Sequence, residues 1–226
     1  MSNQEEVPGW LWHAAQWGMV VAVLGVLALA GALALGVADS PRAGPLAWQD
    51  DFKHGTQRWT LLPPAGGTLG AATGALVAAF ADSSSTTGAT ALGLAPGPDK
   101  DYTLEVAGTA VSGETVAAYG LVFGWQDEQH YSALFINGNG YAEAYQQAGA
   151  QREQWFEWQQ WPNILFGTST NRVRVDVHGQ AVTLRINDEL LAAGRPTAAH
   201  GRLGVVARSG AAARVVFSWV RVWVSS

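Results

Sequence analysis

The chain is 226 residues long, 48% apolar and only 14% charged, with a net charge of -5, 27 glycines, 11 tryptophans and no cysteine. That length allows a sizeable buried core. The absence of a basic surplus argues against nucleic-acid binding, and the absence of thiols excludes disulfides, thiolate metal sites and cysteine nucleophiles.

Residues 1–13, MSNQEEVPGWLWH, read as a short polar tail that turns aromatic. Residues 14–38 carry no charge and exceed the ~20 apolar residues a bilayer-crossing helix needs, so this stretch is expected to be a single transmembrane helix in the cell membrane. A cleavable signal is the competing reading. The small residues of LALGVADS suit it, but Glu5 and Glu6 stand where a basic n-region belongs and the apolar run is too long. Trp10, Trp12 and Trp17 form an aromatic belt for the membrane interface. Gly25, Gly31 and Gly36 leave a small-residue surface suited to close helix packing, although glycine and alanine are also ordinary in such helices. Arg42, Lys53 and Arg58 follow the helix, and by the positive-inside rule they favour a cytoplasmic domain. Lys53 and Arg58, however, fall within the expected folded domain, and folded domains translocate largely regardless of charge. Residues 39–45, DSPRAGP, form a linker in which proline and glycine stop the helix.

From residue 46 to 226 the pattern is all-β. AWQDDF and RWTLL come first, then weak small-residue strands around a Ser/Thr loop, then DYTLEVAGTAV. From Tyr119 to Leu191 the alternation is sustained. Leu121, Phe123 and Trp125 take one face and Val122 and Gly124 the other. Tyr131, Ala133 and Phe135 oppose Ser132, Leu134 and Ile136, and Val173, Val175 and Val177 oppose Arg172, Arg174 and Asp176. Period-two alternation is what half-buried antiparallel strands require. Asn137-Gly138-Asn139-Gly140, His178-Gly179 and Asn187-Asp188 supply the positive-φ residues of tight hairpins. GRLGVVARSG and ARVVFSWVRVWV close the chain. The expected fold is a two-sheet antiparallel jelly-roll sandwich behind one transmembrane helix.

Several of these segments carry a family likeness: Asp50, Asp51 and Phe52 with Trp59 shortly after, DYTLEV, YGLVFGWQDEQHYSALFINGNGY, NRVRVDVHGQAVTLRINDELL, GRLGVVA and VVFSWVRVW. Together they resemble the concanavalin A-like jelly-roll domains. In particular they resemble the laminin-G-like and 3-keto-disaccharide-hydrolase-like modules that many bacteria carry behind a single membrane helix. The likeness covers about residues 46–224 and rests on strand and turn residues. It implies an extracytoplasmic domain that binds sugar, cleaves glycosides or contacts other proteins, and fold alone does not choose among these.

Glycoside hydrolysis needs two carboxylates flanking the scissile bond. The E-x-D-x-x-E strand of jelly-roll glucanases does not occur here, so no catalytic residue is assigned and no enzyme is expected. Asp127 with Glu128 reads as a solvated turn, and Glu153 with Glu157 as a polar strand face. His13, His54, His130, His178 and His200 lack ligand spacing, and no metal or other cofactor is assigned. Calcium could draw on Asp82, Asp127 or Asp188, but aspartate is favoured in turns for backbone reasons alone.

The stretch YAEAYQQAGAQREQWFEWQQWPNILF, residues 141–166, interleaves aromatic rings with amides. Tyr141, Tyr145, Trp155, Trp158, Trp161 and Gln159 are its candidate ligand or partner residues. Rings suit sugar faces and amides suit hydroxyls, while the same residues suit a protein interface or core packing. Strict alternation cannot bury Trp155, Phe156 and Trp158 together, so at least one should lie outside. The leading expectation is a non-catalytic, membrane-anchored recognition or scaffolding protein, an accessory subunit partnered with other membrane proteins. A membrane-anchored carbohydrate-binding module is the alternative and a glycoside hydrolase the second alternative.

Overall fold

The computed structural model describes residues 9–34, 41–82, 85–112, 117–197 and 199–226. The chain divides into two compact units, Met1–Pro41 and Arg42–Ser226.

Among its described residues the first unit holds one helix, α1 (Gly9–Ala34), with no acidic residue in its first turn and no basic residue in its last. Its Trp12–Ala30 span has a mean hydropathy of 1.7 and is long and apolar enough to cross a membrane. The helix begins at Gly9, so residues 9–13 of the expected tail are helical and the expected 14–38 boundary is corrected at its start. Residues 1–8 and 35–38, Gly36 among them, lie outside the described residues. Trp10, Trp12 and Trp17 are all exposed. Gly25 has open space where a side chain would be, and Gly31 falls in the same helix. A helix apolar on every side with its rings exposed is compatible with apolar surroundings such as a bilayer.

The second unit is a sandwich of two antiparallel sheets. Its strands are β1 (Leu46–Asp50), β2 (Thr60–Leu62), β3 (Thr68–Ala72), β4 (Ala75–Phe80), β5 (Thr87–Leu92), β6 (Tyr102–Ser112), β7 (Ala118–Asp127) and β8 (His130–Asn137). They continue as β9 (Tyr141–Ala148), β10 (Gln151–Gln160), β11 (Asn171–His178), β12 (Ala181–Ile186), β13 (Glu189–Gly194), β14 (Arg202–Ser209) and β15 (Ala213–Val224). One sheet runs β13-β12-β11-β6-β15-β4-β3 with β1 also paired to β15; the other runs β10-β9-β8-β7-β14-β5-β2. This is the expected jelly-roll architecture. The small-residue runs form β3, β4 and β5, stabilised by pairing with β15 and β14, distant in sequence.

Between the sheets lies one core in which Leu76, Leu104, Tyr119, Leu121, Phe123, Leu134, Val175 and Phe217 are almost fully buried. Each such side chain contributes about 1.5–3 kcal/mol of burial free energy. The Asp-Asp-Phe opening is a structural clasp. Asp50 accepts hydrogen bonds from the Phe52 N–H at 2.8 Å and the Trp59 indole N–H at 2.9 Å, which holds Phe52 at φ +59° with its ring in the core. The Asn187-Asp188 hairpin takes φ values of +50° and +72° at its two central residues, as a type I′ turn requires.

Three features depart from simple alternation. First, Gly124 adopts φ +60° where the β7–β8 register slips between Phe123 and Asp127. This bulge turns Trp125 away from Leu121 and Phe123, with which it was expected, onto the opposite face. Second, Arg174 and Asp176 do take the face opposite the valines, but that face is covered, and they are 2% and 1% exposed. Third, residues 42–45 of the expected linker are packed onto the sandwich. The Ala43 N–H donates to Thr103 Oγ1 at 3.1 Å, and Arg42 reaches Glu105 at 3.1 Å while lying 5.0 Å over the Trp223 ring.

Candidate functional site

The seven-stranded sheet carries a second apolar cluster on the face turned away from the core. It comprises Leu92, Ala118, Val122, Ala133, Phe135, Tyr145 and Val206, with Leu62, Trp125 and Tyr131 against it. Strand register sets these residues in rows. Leu92, Gly204, Val122, Ala133, Tyr145 and Gln154 oppose one another in sequence across six strands. The next row is Thr90, Val206, Gly120, Phe135 and Glu143. Small residues in both rows leave a low floor. At Gly120 and Gly204 a Cβ would come within 1.9 and 2.1 Å of neighbouring carbonyl oxygens, so no other residue fits.

Polar and aromatic side chains stand on this floor. Arg208 donates to Glu143 Oε2, and its guanidinium lies 4.3 Å above the Phe135 ring and 5.6 Å from that of Trp158. Gln154 donates to the other Glu143 oxygen at 3.0 Å. Trp158, 40% exposed, stacks on Tyr141 at 5.9 Å with an interplanar angle of 19°. Arg152 lies 4.0 Å over Tyr145 and donates from Nε to Gln147 at 3.2 Å. Trp125 and Tyr131 stack at 5.0 Å and 28°. Burial foremost, then the neighbouring Tyr131, pushes the Tyr145 hydroxyl well above the usual tyrosine range, so it stays a neutral donor and acceptor.

The sequence candidates separate on this geometry. Trp158 and Tyr141 form the exposed stack. Tyr145 is 2% exposed and belongs to the floor beneath Arg152, which corrects its expected place at the surface. Trp155 and Trp161 pack against the main core with Phe156, so they are not part of the platform. β10 turns Trp155 and Phe156 inward together because its register slips between Gln154 and Phe156 and again before Gln159. Gln159 is exposed but pairs with Ala142, a core-facing residue, and so sits off the Trp158–Tyr141 face. The residues that sequence reading missed are Arg208, Glu143, Arg152, Trp125 and Tyr131. The last two were visible as alternating aromatics, but nothing local tied Arg208 to position 143.

Chemically, the face offers stacking surfaces, amides and one ion pair. Glu143 is the carboxylate the register brings to its centre, and both its oxygens already accept hydrogen bonds. Asp127 accepts from the Gln129 N–H at 2.8 Å and contacts His130 at 2.8 Å, and these hold its carboxyl below the usual range. Glu128 lies beside it in the turn, and Glu153 and Glu157 are exposed on the slipped β10 strand. Among the described residues no three His, Asp or Glu side chains gather as a metal site. Of the calcium candidates, Asp188 pairs with Arg172, Asp127 with His130, and Asp82 is exposed. A separate open cleft of about 730 Å³ lies beside β1 and β15, lined by Asp51, Lys53, His54, Arg58, Trp219 and Arg221.

No protein-family model and no curated protein matches the sequence. Solved structures match the fold. The carbohydrate-binding module CBM66 from Bacillus subtilis superposes with a TM-score of 0.54 at 14% identity, over 72% of this chain and 93% of that one. The GH43 protein BlXynB from Bacillus licheniformis gives 0.58 at 14% identity over 77% of this chain, which spans 39% of that longer protein. The catalytic domain of an endo-1,3-beta-glucanase (laminarinase) from Thermotoga petrophila gives 0.55 at 10% identity, over 80% and 98%. The fold is therefore the two-sheet jelly-roll sandwich that these solved structures share.

Proposed function

We propose that this chain is a membrane-anchored, extracytoplasmic carbohydrate-recognition protein that binds glycans without cleaving them. The observation that carries this reading is the outer face of the seven-stranded sheet. The exposed Trp158–Tyr141 stack and the Trp125–Tyr131 stack flank amides and a central Arg208–Glu143 pair. Ring faces cover the apolar surface of a sugar, and the amides and arginines serve its hydroxyls. Against hydrolysis stands the state of the central carboxylate. Glycosidases use two carboxyl groups flanking the bond, whereas both oxygens of Glu143 are already engaged by Gln154 and Arg208.

The test uses the full chain in phosphatidylcholine nanodiscs, screened against a polysaccharide panel by affinity electrophoresis, with sugar release followed in parallel. Retention should weaken about tenfold, equivalent to about 1.4 kcal/mol, in Trp158→Ala, because the exposed ring is lost. Unchanged retention in Trp158→Ala, or released oligosaccharide that disappears in Glu143→Gln, overturns the proposal. The exposed apolar helix with its open Gly25 favours a second reading, an accessory subunit that docks against another membrane helix. Stoichiometric co-migration of a second membrane protein after mild detergent extraction would support it.

A further inference from the structure

The charge on the platform says more about its ligand, and we infer that the glycan it takes is acidic, bearing carboxylate or sulfate groups. The inference rests on the recognition reading above and concerns the row beside Tyr145. Arg202 pairs with Trp125 across β14 and β7, Trp125 stacks on Tyr131, and Tyr131 pairs with Gln147, which pairs with Arg152. The row thus runs from arginine to arginine over an aromatic pair and an amide. Four inter-strand steps of about 4.8 Å separate its end backbones by roughly 19 Å.

Neither terminal arginine is neutralised. Among the described residues no carboxylate lies within ion-pair distance of Arg152 or Arg202, and Glu143 is taken by Arg208. Both guanidinium groups are nevertheless held in place. Arg152 lies over Tyr145 and donates to Gln147, while Arg202 donates to Thr60 Oγ1 and the Leu92 carbonyl oxygen, both at 2.8 Å. All these acceptors are neutral. A guanidinium has five N–H donors, so each arginine keeps several for a ligand. In a chain of net charge -5, two positioned and uncompensated cations bracketing a ring platform match an acidic sugar chain lying across the strands. A planar guanidinium fork suits a carboxylate or sulfate, and side chains already fixed lose little entropy on binding.

The experiment compares the full chain in phosphatidylcholine nanodiscs on polygalacturonate, its fully methyl-esterified form, dextran sulfate and neutral dextran. At least one acidic polymer should bind tenfold or more tighter than the neutral ones, with affinity falling as salt rises. Arg152→Gln and Arg202→Gln should each weaken that binding about tenfold, the low end for a charge-assisted hydrogen bond, and flatten the salt dependence. Arg152→Lys should keep the salt dependence, and Arg221→Gln on the other sheet should change nothing. Polygalacturonate against dextran sulfate separates carboxylate from sulfate as the group read. Equal binding of acidic and neutral polymers, or an equal loss in Arg221→Gln, overturns the acidic assignment. In that case neutral-glycan retention that still depends on Trp158 leaves the recognition reading standing, whereas retention of no polymer at all removes both.

Discussion

The substitution Asp176→Asn puts a number on the buried charge layer of the eight-stranded sheet. Asp176 Oδ1 accepts from Arg174 Nε at 2.9 Å, Arg174 Nη2 at 2.7 Å and Thr103 Oγ1 at 2.6 Å, and Arg185 Nε lies 3.6 Å from Oδ2. The side chains of Arg174 and Asp176 are 2% and 1% exposed, so water cannot replace a lost partner. Asparagine preserves the shape but removes the charge and turns an N–H₂ group toward a guanidinium. Breaking a buried pair in this way costs about 3–5 kcal/mol. For a folded unit of this size, Arg42–Ser226, each kcal/mol lowers Tm by about 2–4 °C, which gives a fall of roughly 6–20 °C. Differential scanning calorimetry of the full chain in detergent reads this directly. The double substitution Arg174→Met with Asp176→Leu should recover part of the loss, since apolar replacement of a buried pair is often neutral while Thr103 and Arg185 still lose Asp176 as a partner. A single variant that melts within about 2 °C of the parent would refute the argument that these charges depend on each other.

Two further substitutions test local devices. Gly124→Ala places a side chain at φ +60°, which costs about 1–2 kcal/mol; it should also shift the Trp125 fluorescence and weaken glycan retention, whereas an unchanged Tm and spectrum would mean the bulge does not set Trp125. Asp101 accepts from the Gly179 N–H at 2.8 Å and contacts His178 at 3.2 Å, and these hold its carboxyl below 3.8. A depressed carboxyl contributes stability that is present above its unfolded value and lost as pH falls through the folded one. Asp101→Asn should therefore lower Tm slightly at pH 7, with the gap to the parent closing as the pH drops below 3.8; a gap that persists in strong acid would contradict this sign.

The jelly roll was legible in the chain because its signals are local. Period two in Leu134/Ile136 against Ala133/Phe135, and the asparagine, aspartate and glycine residues of the hairpins, are set by neighbours a few residues away. The apolar run of α1 is legible for the same reason, whereas the inclusion of Trp10 and Trp12 in the helix is not, because they follow a polar stretch. The platform was half legible. Trp158 and Tyr141 were named from composition, but Tyr145, Trp155 and Trp161 were named with them, and composition does not record which way a ring turns.

Tertiary structure alone decided which side chains meet. The bulge at Gly124 sends Trp125 to the outer face, and the slips in β10 let Trp155 and Phe156 both pack inward, since one unpaired residue reverses every later side chain. Arg208 meets Glu143 and Trp158 because β14 lies in the same sheet as β9 and β10, a consequence of strand order and not of spacing. Arg174 and Asp176 alternate as polar residues should, yet they are buried, because residues 42–45 and neighbouring side chains cover that face. Alternation is a property of consecutive residues and can be read one strand at a time. Burial and the composition of a site depend on register between strands far apart in sequence, as where Gly204 faces Leu92 or where Arg208 reaches Glu143 65 residues away, and only the folded sheet sets that register.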